Sequence, residues 1–341
     1  MLTKLKVAQF RCFEAHELSL EPGINVIVGP NARGKTTLLE AACILLRLQS
    51  PRTTRLGEIV RHGQRGLLAD GFFNGAHLQF YYSAERKKLA LDSVEQRSAT
   101  DYLRLARVVW FSNSDVQIIR DGGDTRRRFM DFIAMQVTPA YRNALRDYER
   151  SVRSRNLLLK APTPRWKEIQ AFDEPLVAAG LRLIEARSTL ITALRPLAQL
   201  AHNTISGARE KLDLEYAPCP PEGFASALNA ARAEDTRLRQ TTVGPHRDDL
   251  VLSLGGRPAT LGSEGQQRTL VLALRLAAAR LLEAHFGAPP VLLLDDIFGE
   301  LDGARRAALF EQLPKNAQQI VTTTQREWLP EGLSAQIISL L

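Results

Sequence analysis

The chain has 341 residues, of which 45% are hydrophobic and 24% are charged, so a disordered chain is excluded and one large or two smaller folded domains are expected. Lysine and arginine number 45 against 37 aspartate and glutamate residues, and the net charge of +8 favours an anionic partner, either a nucleic acid or a phosphate ligand. Cys12, Cys43 and Cys219 have no CxxC spacing, which argues against a disulfide framework and a zinc site and favours a reducing compartment.

No segment of the sequence predicts a secretion signal or a membrane span. The N-terminal sequence MLTKLKVAQFRCFE contains no apolar core of the kind found in secretory signals. The most apolar stretch, residues 269–282, is broken by Arg275 and Arg280 and is shorter than the roughly 20 residues that cross a bilayer. We therefore expect a cytoplasmic protein.

Alternating apolar and polar residues predict strands at the start of the chain. Leu5 and Val7, followed after a short connection by Leu18 and Leu20, indicate an antiparallel hairpin. Further strands are predicted at residues 24–28, 77–82, 88–91 and 107–111.

The strand at residues 24–28 leads into a glycine-containing loop and then into helical apolar spacing over residues 35–48. The loop reads Gly29-Pro30-Asn31-Ala32-Arg33-Gly34-Lys35-Thr36, followed by Thr37, and fits the pattern G-x-x-x-x-G-K-[ST]. Glycines let backbone N–H groups close around phosphate oxygens, Lys35 would neutralise the β- and γ-phosphates, and the Thr36 hydroxyl would bind Mg²⁺. The alternative, a glycine turn with a solvated lysine, is disfavoured by the strand and helix on either side.

The pattern changes in the middle of the chain. Residues 125–241 have helical spacing with one strong break at Pro162-Thr163-Pro164, which predicts an inserted α-helical lobe. After residue 242 the α/β pattern returns, with strands predicted at residues 250–254, 291–294 and 319–322 and a helix over residues 264–284. The predicted organisation is an α/β head with a mixed sheet and antiparallel β hairpins, formed by residues 1–115 and 241–341. It is interrupted by an inserted α-helical lobe at residues 116–240.

Two adjacent carboxylates follow the predicted strand at residues 291–294. A buried parallel strand presents its carboxyl end at the ligand crevice of an α/β sheet, so Asp295 is placed to hold Mg²⁺ through water. Asp296 is then placed to orient or deprotonate an attacking water. Acidic residues often close strands at turns, and the pair becomes specific only in combination with the phosphate loop.

Residues 261–268, Leu-Gly-Ser-Glu-Gly-Gln-Gln-Arg, precede the predicted helix at residues 264–284. Ser263, with Gln266 three residues further on, is typical of a capping box. A helix N-terminus with a free hydroxyl and with Gly265 beside it is also an anion site, suited to a γ-phosphate offered by another subunit. Both interpretations can hold together.

The phosphate loop, residues 261–268 and the strand ending at Asp295 resemble, in this order, an ATPase of the ABC/SMC superfamily, with Ser263-Glu-Gly-Gln-Gln as its signature motif. The separation of Lys35 from Ser263 exceeds that of ABC transporters, and the lobe is too short for a full SMC coiled coil. Further blocks make the chain similar to the RecF family of bacterial recombination mediators: Phe10-Arg11, Ser50-Pro-Arg52-Thr, Arg127-Arg128-Phe-Met-Asp131, Thr242-Val-Gly-Pro-His246-Arg247-Asp248-Asp249 and Asp295-Asp-Ile-Phe-Gly-Glu300-Leu-Asp302.

The chain departs from the family pattern at three places. Ala32 stands where the family usually has glycine, which restricts positive φ at that position, and Thr37 stands where asparagine is common. Neither change removes a phosphate ligand. Asn113-Ser114 replaces the usual proline and acidic residue, so the role of this segment as a γ-phosphate sensor stays open.

The resemblance implies a weak ATPase used as a switch. ATP and Mg²⁺ would clamp two subunits head to tail, each Ser263 would complete the partner's site, and Arg11 would reach the phosphates from the hairpin. The ATP-dependent homodimer would hold duplex or gapped DNA, help to load a recombinase together with the RecR and RecO mediators, and release DNA on slow hydrolysis. An ATPase that couples to a transporter and an SMC-like protein that tethers DNA are the alternatives; the lobe lacks apolar docking features, and the Pro162/Pro164 break forbids sustained heptads.

Two groups of charged residues carry competing interpretations. His246, Asp248 and Asp249 could hold a metal ion, but adjacent carboxylates on a strand point apart, so His246, Arg247, Asp248 and Asp249 are better read as a hydrogen-bonded joint between lobe and head. A stripe on the first helix of the lobe is either a solvated face, paired with Asp147 and Glu149, or a contact surface for the phosphates of duplex DNA. This arginine stripe consists of Arg142, Arg146, Arg150 and Arg153.

Overall fold

The structure is a computed structural model that describes residues 1–326, 328–329 and 334–340. Its contacts divide the chain into two compact units. The first unit comprises Met1–Asp115 and Ala278–Leu341, and the second unit comprises Val116–Ala277.

The elements of the first segment are the strands β1 (Leu2–Phe10), β2 (Phe13–Ser19), β3 (Ile24–Val28), β4 (Gly66–Phe73), β5 (Ala76–Ser83), β6 (Lys87–Leu91), β7 (Val94–Glu95) and β8 (Val108–Ser112), with the helices α1 (Lys35–Arg47) and α2 (Thr100–Arg104). The second unit then contributes α3 (Gln117–Arg120), α4 (Gly123–Val137), α5 (Tyr141–Leu159), α6 (Trp166–Gln170), α7 (Asp173–Ser206), β9 (Leu212–Ala217), α8 (Phe224–Ala230), α9 (Arg232–Leu238), β10 (Asp249–Leu254) and β11 (Arg257–Pro258). The division into units falls within α10 (Glu264–Phe286), which is followed by β12 (Val291–Asp295), α11 (Gly303–Gln312), β13 (Gln319–Thr323) and β14 (Ala335–Ser339).

Six strands of the first unit form an antiparallel sheet in the order β2-β1-β4-β5-β6-β7. The hairpin predicted from the sequence is present, with Leu5 of β1 opposite Leu18 of β2. The sequence pattern does not predict β4, because Gly71 interrupts it. A side chain at Gly71 would meet the carbonyl oxygen of Lys4 at 2.2 Å, so the close passage of β4 beside β1 requires glycine.

Five strands of the first unit form a parallel sheet in the order β14-β3-β13-β12-β8. Helix α1 packs against strands of both sheets, which explains why nearly all of its side chains are buried. Because β3, β12 and β13 are parallel neighbours, their carboxyl ends lie at one edge of the sheet. The phosphate loop and the Asp295-Asp296 pair both begin at this edge.

The second unit is built around two long helices. Helix α7 packs against α5 and against β9, which belongs to a small antiparallel sheet in the order β11-β10-β9. One face of this sheet is apolar and buried, through Leu212, Leu214, Leu250, Leu252 and Leu254. Between the helices, α5 ends at Leu159 and α6 begins at Trp166, so the break at Pro162-Thr163-Pro164 is present as predicted.

Two features of the second unit differ from the sequence-based expectation. Strand β9 lies within residues 125–241, where only helices are predicted. In addition, residues 241–277, which the sequence predicts as part of the head, cluster with the second unit, because β10 pairs with β9 over six residue pairs, Asp249↔Ala217 through Leu254↔Leu212. The division into a head and a lobe stays a prediction, and these contacts place its second boundary elsewhere.

Over the described part of the chain, no helix combines sufficient length with sufficient hydrophobicity to span a bilayer.

Candidate nucleotide-binding site

The phosphate loop connects β3 to α1 and has a backbone that needs its motif glycines. A side chain at Gly29 would meet the carbonyl oxygen of Leu340 at 2.4 Å, and one at Gly34 would meet the Phe13 ring at 2.5 Å. Gly34 also has φ +89°, in the left-handed region that favours glycine. Ala32 adopts φ +64°, so this departure from the family pattern holds alanine in a strained conformation. Pro30, Asn31, Ala32 and Arg33 are exposed, which leaves the loop open to a ligand.

Lys35 begins α1 and is 7% exposed. Its Nζ donates hydrogen bonds to the carbonyl oxygens of Gly29 at 2.6 Å and Pro30 at 2.8 Å, so the ammonium group spans the loop. Burial lowers the pKa of Lys35, against the opposing effect of Asp296 and Asp295. The hydrogen bonds to the two carbonyl oxygens do not fully replace the lost hydration of the ammonium group. An anionic ligand would therefore stabilise the charged form of Lys35.

Asp295 lies at the end of β12 and accepts two hydroxyl hydrogen bonds on Oδ1, from Thr36 at 2.7 Å and from Thr322 at 2.8 Å. Burial raises the pKa of Asp295, and the hydrogen bonds from Thr36 and Thr322 oppose this shift, as do the positive charges of Arg52 and Lys35. Carboxylate and hydroxyl oxygens are the ligands that Mg²⁺ prefers, and a carboxylate that is desolvated gains from a cation. Thr36 and Asp295 therefore fit a Mg²⁺ site. The sequence gives no signal for Thr322, except that it lies on the strand beside β12.

Asp296 follows β12 with φ +53°. Its backbone N–H donates to the carbonyl and hydroxyl oxygens of Thr322, at 3.2 Å and 3.1 Å, and its carbonyl oxygen accepts from Asn113 Nδ2 at 3.0 Å. Burial raises the pKa of the Asp296 carboxyl; Lys35 opposes this shift and Asp295 adds to it. The arrangement holds the backbone from both sides and, within the described residues, leaves the carboxyl free of an ion pair, which suits a general base.

Arg11 is predicted to reach the phosphates, but in this structure its guanidinium binds Glu40 of α1. Nε and Nη2 lie 2.5 Å and 2.7 Å from the two carboxylate oxygens, and Glu40 is fully buried. Arg52 and Ser50 bind the same carboxylate, at 3.0 Å and 2.6 Å. A contact of Arg11 with phosphate stays a prediction. Sequence reasoning missed Glu40 because a glutamate inside an apolar helix gives no sign of what it binds.

The signature turn, residues 261–267, lies in the second unit at the start of α10. Ser263 N–H donates to Gln266 Oε1 at 2.6 Å, and Gln266 N–H donates to Ser263 Oγ at 3.3 Å, so the capping box has the geometry expected from the sequence. Ser263 is exposed, and Gly265 and Gln266 are half-buried. Binding of these three residues to a partner's nucleotide stays a prediction.

Gln267 also supports the signature turn, although the sequence pattern does not single it out. Its Nε2 donates to the carbonyl oxygens of Thr260 at 3.1 Å and Gly262 at 3.0 Å, and its Oε1 accepts from Arg120 Nε at 2.7 Å. The side chain is 4% exposed. Gln267 therefore anchors the turn from its buried side.

The block at residues 246–249 binds elements within the second unit. Asp248 is fully buried and accepts hydrogen bonds from Arg187 Nη1 and Cys219 N–H, both at 2.8 Å, and from the Tyr216 hydroxyl. His246 lies between the hydroxyl of Tyr148 and the carbonyl oxygen of Thr241, and burial lowers its pKa to about 4. Asp249 pairs with Arg126, whereas Arg247 is exposed.

These contacts join α4, α5, α7 and β9 to β10, all within the second unit, so the expected joint between lobe and head is a joint inside this unit. No cluster of three or more potential metal ligands occurs among residues 1–326, 328–329 and 334–340.

The arginine stripe lies on α5 and is only partly a solvated face. Arg146, Arg150 and Arg153 are exposed, whereas Arg142 is half-buried and its pKa is lowered by burial and by Arg146. The pairs of Arg146 with Asp147 and of Arg153 with Glu149 are both 3.7 Å long. Exposed pairs of this length add little stability and leave these guanidinium groups available to other anions.

Comparison with known proteins extends this local similarity to nearly the whole chain. The family model described as "RecF/RecN/SMC N terminal domain" matches residues 1–339. A DNA replication and repair protein RecF from Anaeromyxobacter dehalogenans is 40% identical, with 95% of this chain and 92% of the relative covered. Another, from Synechococcus sp. (strain JA-2-3B'a(2-13)), is 35% identical over 95% of this chain and 91% of the relative.

Solved structures give the same result for the fold. A structure described as the recombination mediator protein RecF-ATPrS in the RecFOR pathway superposes with a TM-score of 0.87 at 28% identity, covering 99% of this chain and 96% of the other. An SMC head bound to the C-terminal winged-helix domain of ScpA matches with a TM-score of 0.53 at 15% identity, covering 95% and 89%, and shows the fold alone. The predicted fold class, the α/β fold of an ATPase head with parallel and antiparallel sheets plus helices, is confirmed. The chain belongs to the RecF family of DNA replication and repair proteins.

Proposed function

We propose that this chain is an ATP-dependent DNA-binding clamp of recombinational repair and replication restart, with slow ATP hydrolysis that drives release. One observation carries the proposal: the end of β12 meets the phosphate loop through the 2.7 Å contact of Thr36 with Asp295. This contact assembles metal ligands, phosphate loop and candidate base within the first unit. The similarity to a structure described as RecF-ATP, with a TM-score of 0.86 at 28% identity, supports ATP as the nucleotide.

Each residue of the site has a distinct part in this proposal. The loop from Gly29 to Thr37 and the ammonium group of Lys35 bind the phosphates, and Thr36 and Asp295 hold Mg²⁺. Bound Mg²⁺ would neutralise charge on the β- and γ-phosphates. Asp296 accepts a proton from the attacking water, a role that the raised pKa of its carboxyl supports. Asn113 fixes the backbone of Asp296, and it is the candidate sensor of the γ-phosphate.

The exposed position of the signature turn supports a proposal of dimerisation. Oγ of Ser263 accepts the long hydrogen bond from Gln266 N–H, which leaves its own proton to bind a phosphate oxygen. The N-terminus of α10 also favours negative charge. We propose that two copies pair head to tail, so that each Ser263 contacts the γ-phosphate held by its partner.

The DNA partner is proposed from the arginine stripe and from the family. Arg146, Arg150 and Arg153 present exposed guanidinium groups along α5, suited to the phosphate backbone of duplex or gapped DNA. The clamp would load a recombinase near single-strand gaps together with RecR and RecO. Alanine at Arg150 and Arg153 should weaken binding of all DNA sequences and lower the salt slope of log K by about 1 for each phosphate that is no longer bound. Arg237→Ala, at an exposed arginine of α9, is the matched control.

The substitution Ser263→Arg tests the shared site. We expect it to preserve ATP binding, because the phosphate loop is unchanged, and to abolish ATP-dependent dimerisation, because it places a bulky cation where the partner's nucleotide would enter. Light scattering with and without ATP measures dimerisation. Ser188→Arg, at an exposed serine of α7, is the control for the added charge. Dimerisation of Ser263→Arg at the wild-type level would show that the proposal is wrong.

A further inference from the structure

The signature turn is also contacted by Glu210, a residue that has no part in the site described above. Glu210 lies in the connection between α7 and β9, and its Oε1 accepts a hydrogen bond of 2.6 Å from Gln266 Nε2. We propose that Glu210 is a positioning residue for the shared ATP site, which it serves by fixing the side chain of Gln266. The inference rests on the proposed function, because it concerns the same signature turn.

Gln266 makes two hydrogen bonds that require opposite ends of its carboxamide. Its Oε1 accepts the N–H of Ser263 at 2.6 Å, and its Nε2 donates to Glu210 at 2.6 Å. An ionised carboxylate only accepts hydrogen bonds, so Glu210 can face Nε2 but repels Oε1. A rotated carboxamide would therefore place oxygen against carboxylate and an NH₂ group against the Ser263 N–H. Glu210 removes this alternative and keeps the capping box closed.

The consequence for Ser263 concerns the group that would meet the partner's phosphate. With its N–H bound to Gln266, Ser263 is held at the start of α10, and its exposed hydroxyl keeps its proton for a phosphate oxygen. If Gln266 turned away, the Ser263 N–H would lose its partner and the turn would open. The carboxylate therefore acts on the phosphate site through Gln266.

The other side of the signature turn explains why this support is needed. Gln267 is 4% exposed, bonds to backbone carbonyl oxygens of the turn and accepts from Arg120, so packing fixes its orientation. Gln266 is half-buried and has no comparable enclosure by the described residues. Its orientation therefore depends on a charged acceptor, and a hydrogen bond to a charged group is stronger than one to a neutral group. Glu210 supplies this acceptor from the loop that follows α7.

Two substitutions at Glu210 separate positioning from general stability. Glu210→Ala removes the acceptor, and we expect the ATP-dependent dimer to dissociate about tenfold more readily in sedimentation velocity with an ATP analogue that resists hydrolysis. Glu210→Gln keeps an acceptor oxygen, and we expect a loss of about threefold or less. Glu215→Ala, at an exposed glutamate of β9, should not change dimerisation. Nucleotide affinity of the monomer, measured by fluorescence titration, should be unchanged in all three.

A double-mutant cycle tests whether Glu210 acts through Gln266. In the Gln266→Ala background, Glu210→Ala should weaken the dimer by less than about twofold more, because the hydrogen bond is already absent. The inference would be overturned if the effects of Glu210→Ala and Gln266→Ala on dimer stability were fully additive. It would also be overturned if Glu210→Ala and Glu210→Gln weakened the dimer equally. The inference about Glu210 would also be overturned if Glu210→Ala dimerised like the wild type and Ser263→Arg failed to dimerise. If Ser263→Arg dimerises as well, the proposed function itself fails.

Discussion

Two groups of buried or partly buried charged side chains, one in each unit, differ in whether the carboxylates are paired with a cation. In the second unit, Arg187 is 2% exposed and bonds to the carboxylates of Asp131 and Asp248, each at 2.8 Å, and these carboxylates raise its pKa despite burial. In the first unit, Asp295 and Asp296 are adjacent and burial raises the pKa of both. In the second unit a cation pairs with the carboxylates, whereas Asp295 and Asp296 of the first unit form no ion pair with any residue that the structure describes.

The difference separates structural charges from functional ones. A buried ion pair with all its hydrogen bonds made holds its elements together and has no use for a ligand. A carboxylate whose pKa is displaced towards the neutral form gains from a cation, and such groups are common at functional sites. The block at residues 246–249 contains a histidine and two aspartates and resembles a metal site in sequence, but Asp248 and Asp249 are both paired with arginine. The Asp295-Asp296 pair forms no ion pair among the described residues, and it is the group that we propose to bind Mg²⁺ and the attacking water.

The largest effect is expected for Asp296→Asn. Loss of a general base costs about 10²- to 10⁴-fold in rate, so ATP hydrolysis should fall by that factor while ATP binding is retained. The free energy of unfolding should not fall, because the change removes a partly buried charge that has no ion pair among the described residues. Steady-state phosphate release and urea unfolding measure the two quantities. Asp101→Asn, at an exposed aspartate of the same unit, is the control, and rapid hydrolysis by Asp296→Asn would place the base elsewhere.

Arg187→Met should show the opposite profile. It leaves Asp131 and Asp248 buried without their cation, and breaking such a pair costs about 3–5 kcal/mol in the free energy of unfolding. Arg182→Met, at an exposed position on the same helix, should have little effect. Urea unfolding followed by circular dichroism measures both. A cost below about 1 kcal/mol would show that the paired cluster is not structural.

The pH dependence sharpens the comparison further. Because burial raises its folded-state pKa, Asp296 becomes protonated, as the pH falls, at a higher pH than an ordinary aspartate. Between the ordinary and the raised pKa, the folded protein binds more protons than the unfolded chain, so the free energy of unfolding decreases as pH rises through this window. Asp295→Asn and Asp296→Asn should each flatten the decrease. Urea unfolding at a series of pH values, with and without Mg²⁺, tests the sign.

The smallest effect concerns the backbone of the site and leaves its charges unchanged. Ala32→Gly relieves a positive φ, which costs a non-glycine residue about 1 kcal/mol or more, but it also makes the unfolded chain more flexible. We expect a net gain of at most about 1 kcal/mol in the free energy of unfolding and unchanged hydrolysis. Thermal unfolding of the two proteins side by side measures the difference. A clear loss of stability would mean that the loop is not strained at Ala32.

The elements that could be predicted from the sequence are those that local patterns determine. The strand, glycine loop and helix around Lys35 follow from periodicity and from the motif spacing of Gly29 and Gly34. The strand ending at Asp295 is a continuous apolar run, and the capping box of Ser263 with Gln266 depends on a spacing of three. Strand β4 was not predictable, because Gly71 there reflects a contact with β1 that lies far away in sequence.

Arginines show most clearly what sequence spacing leaves undetermined. Arg153 and Arg155 are two residues apart on α5, yet the first is exposed and the second is fully buried between Asp173 and Asp235. Their difference depends on acidic residues that come 18 and 80 positions later. The contact of Glu210 could not be predicted for the same reason, because its partner Gln266 is 56 positions away. Long-range pairing of charges is fixed by packing and is not encoded in local pattern.

The position of β3 in its sheet has a consequence for biosynthesis. Its two neighbours are β13 and β14, so residues 24–28 pair with strands that begin at residues 319 and 335. At about 5–20 residues per second, a ribosome needs many seconds to make the intervening chain. Throughout that time β3 lacks both neighbours, and the phosphate loop lacks the Leu340 backbone that packs on Gly29. A nascent chain therefore cannot complete this sheet around the phosphate loop until the ribosome has passed residue 340.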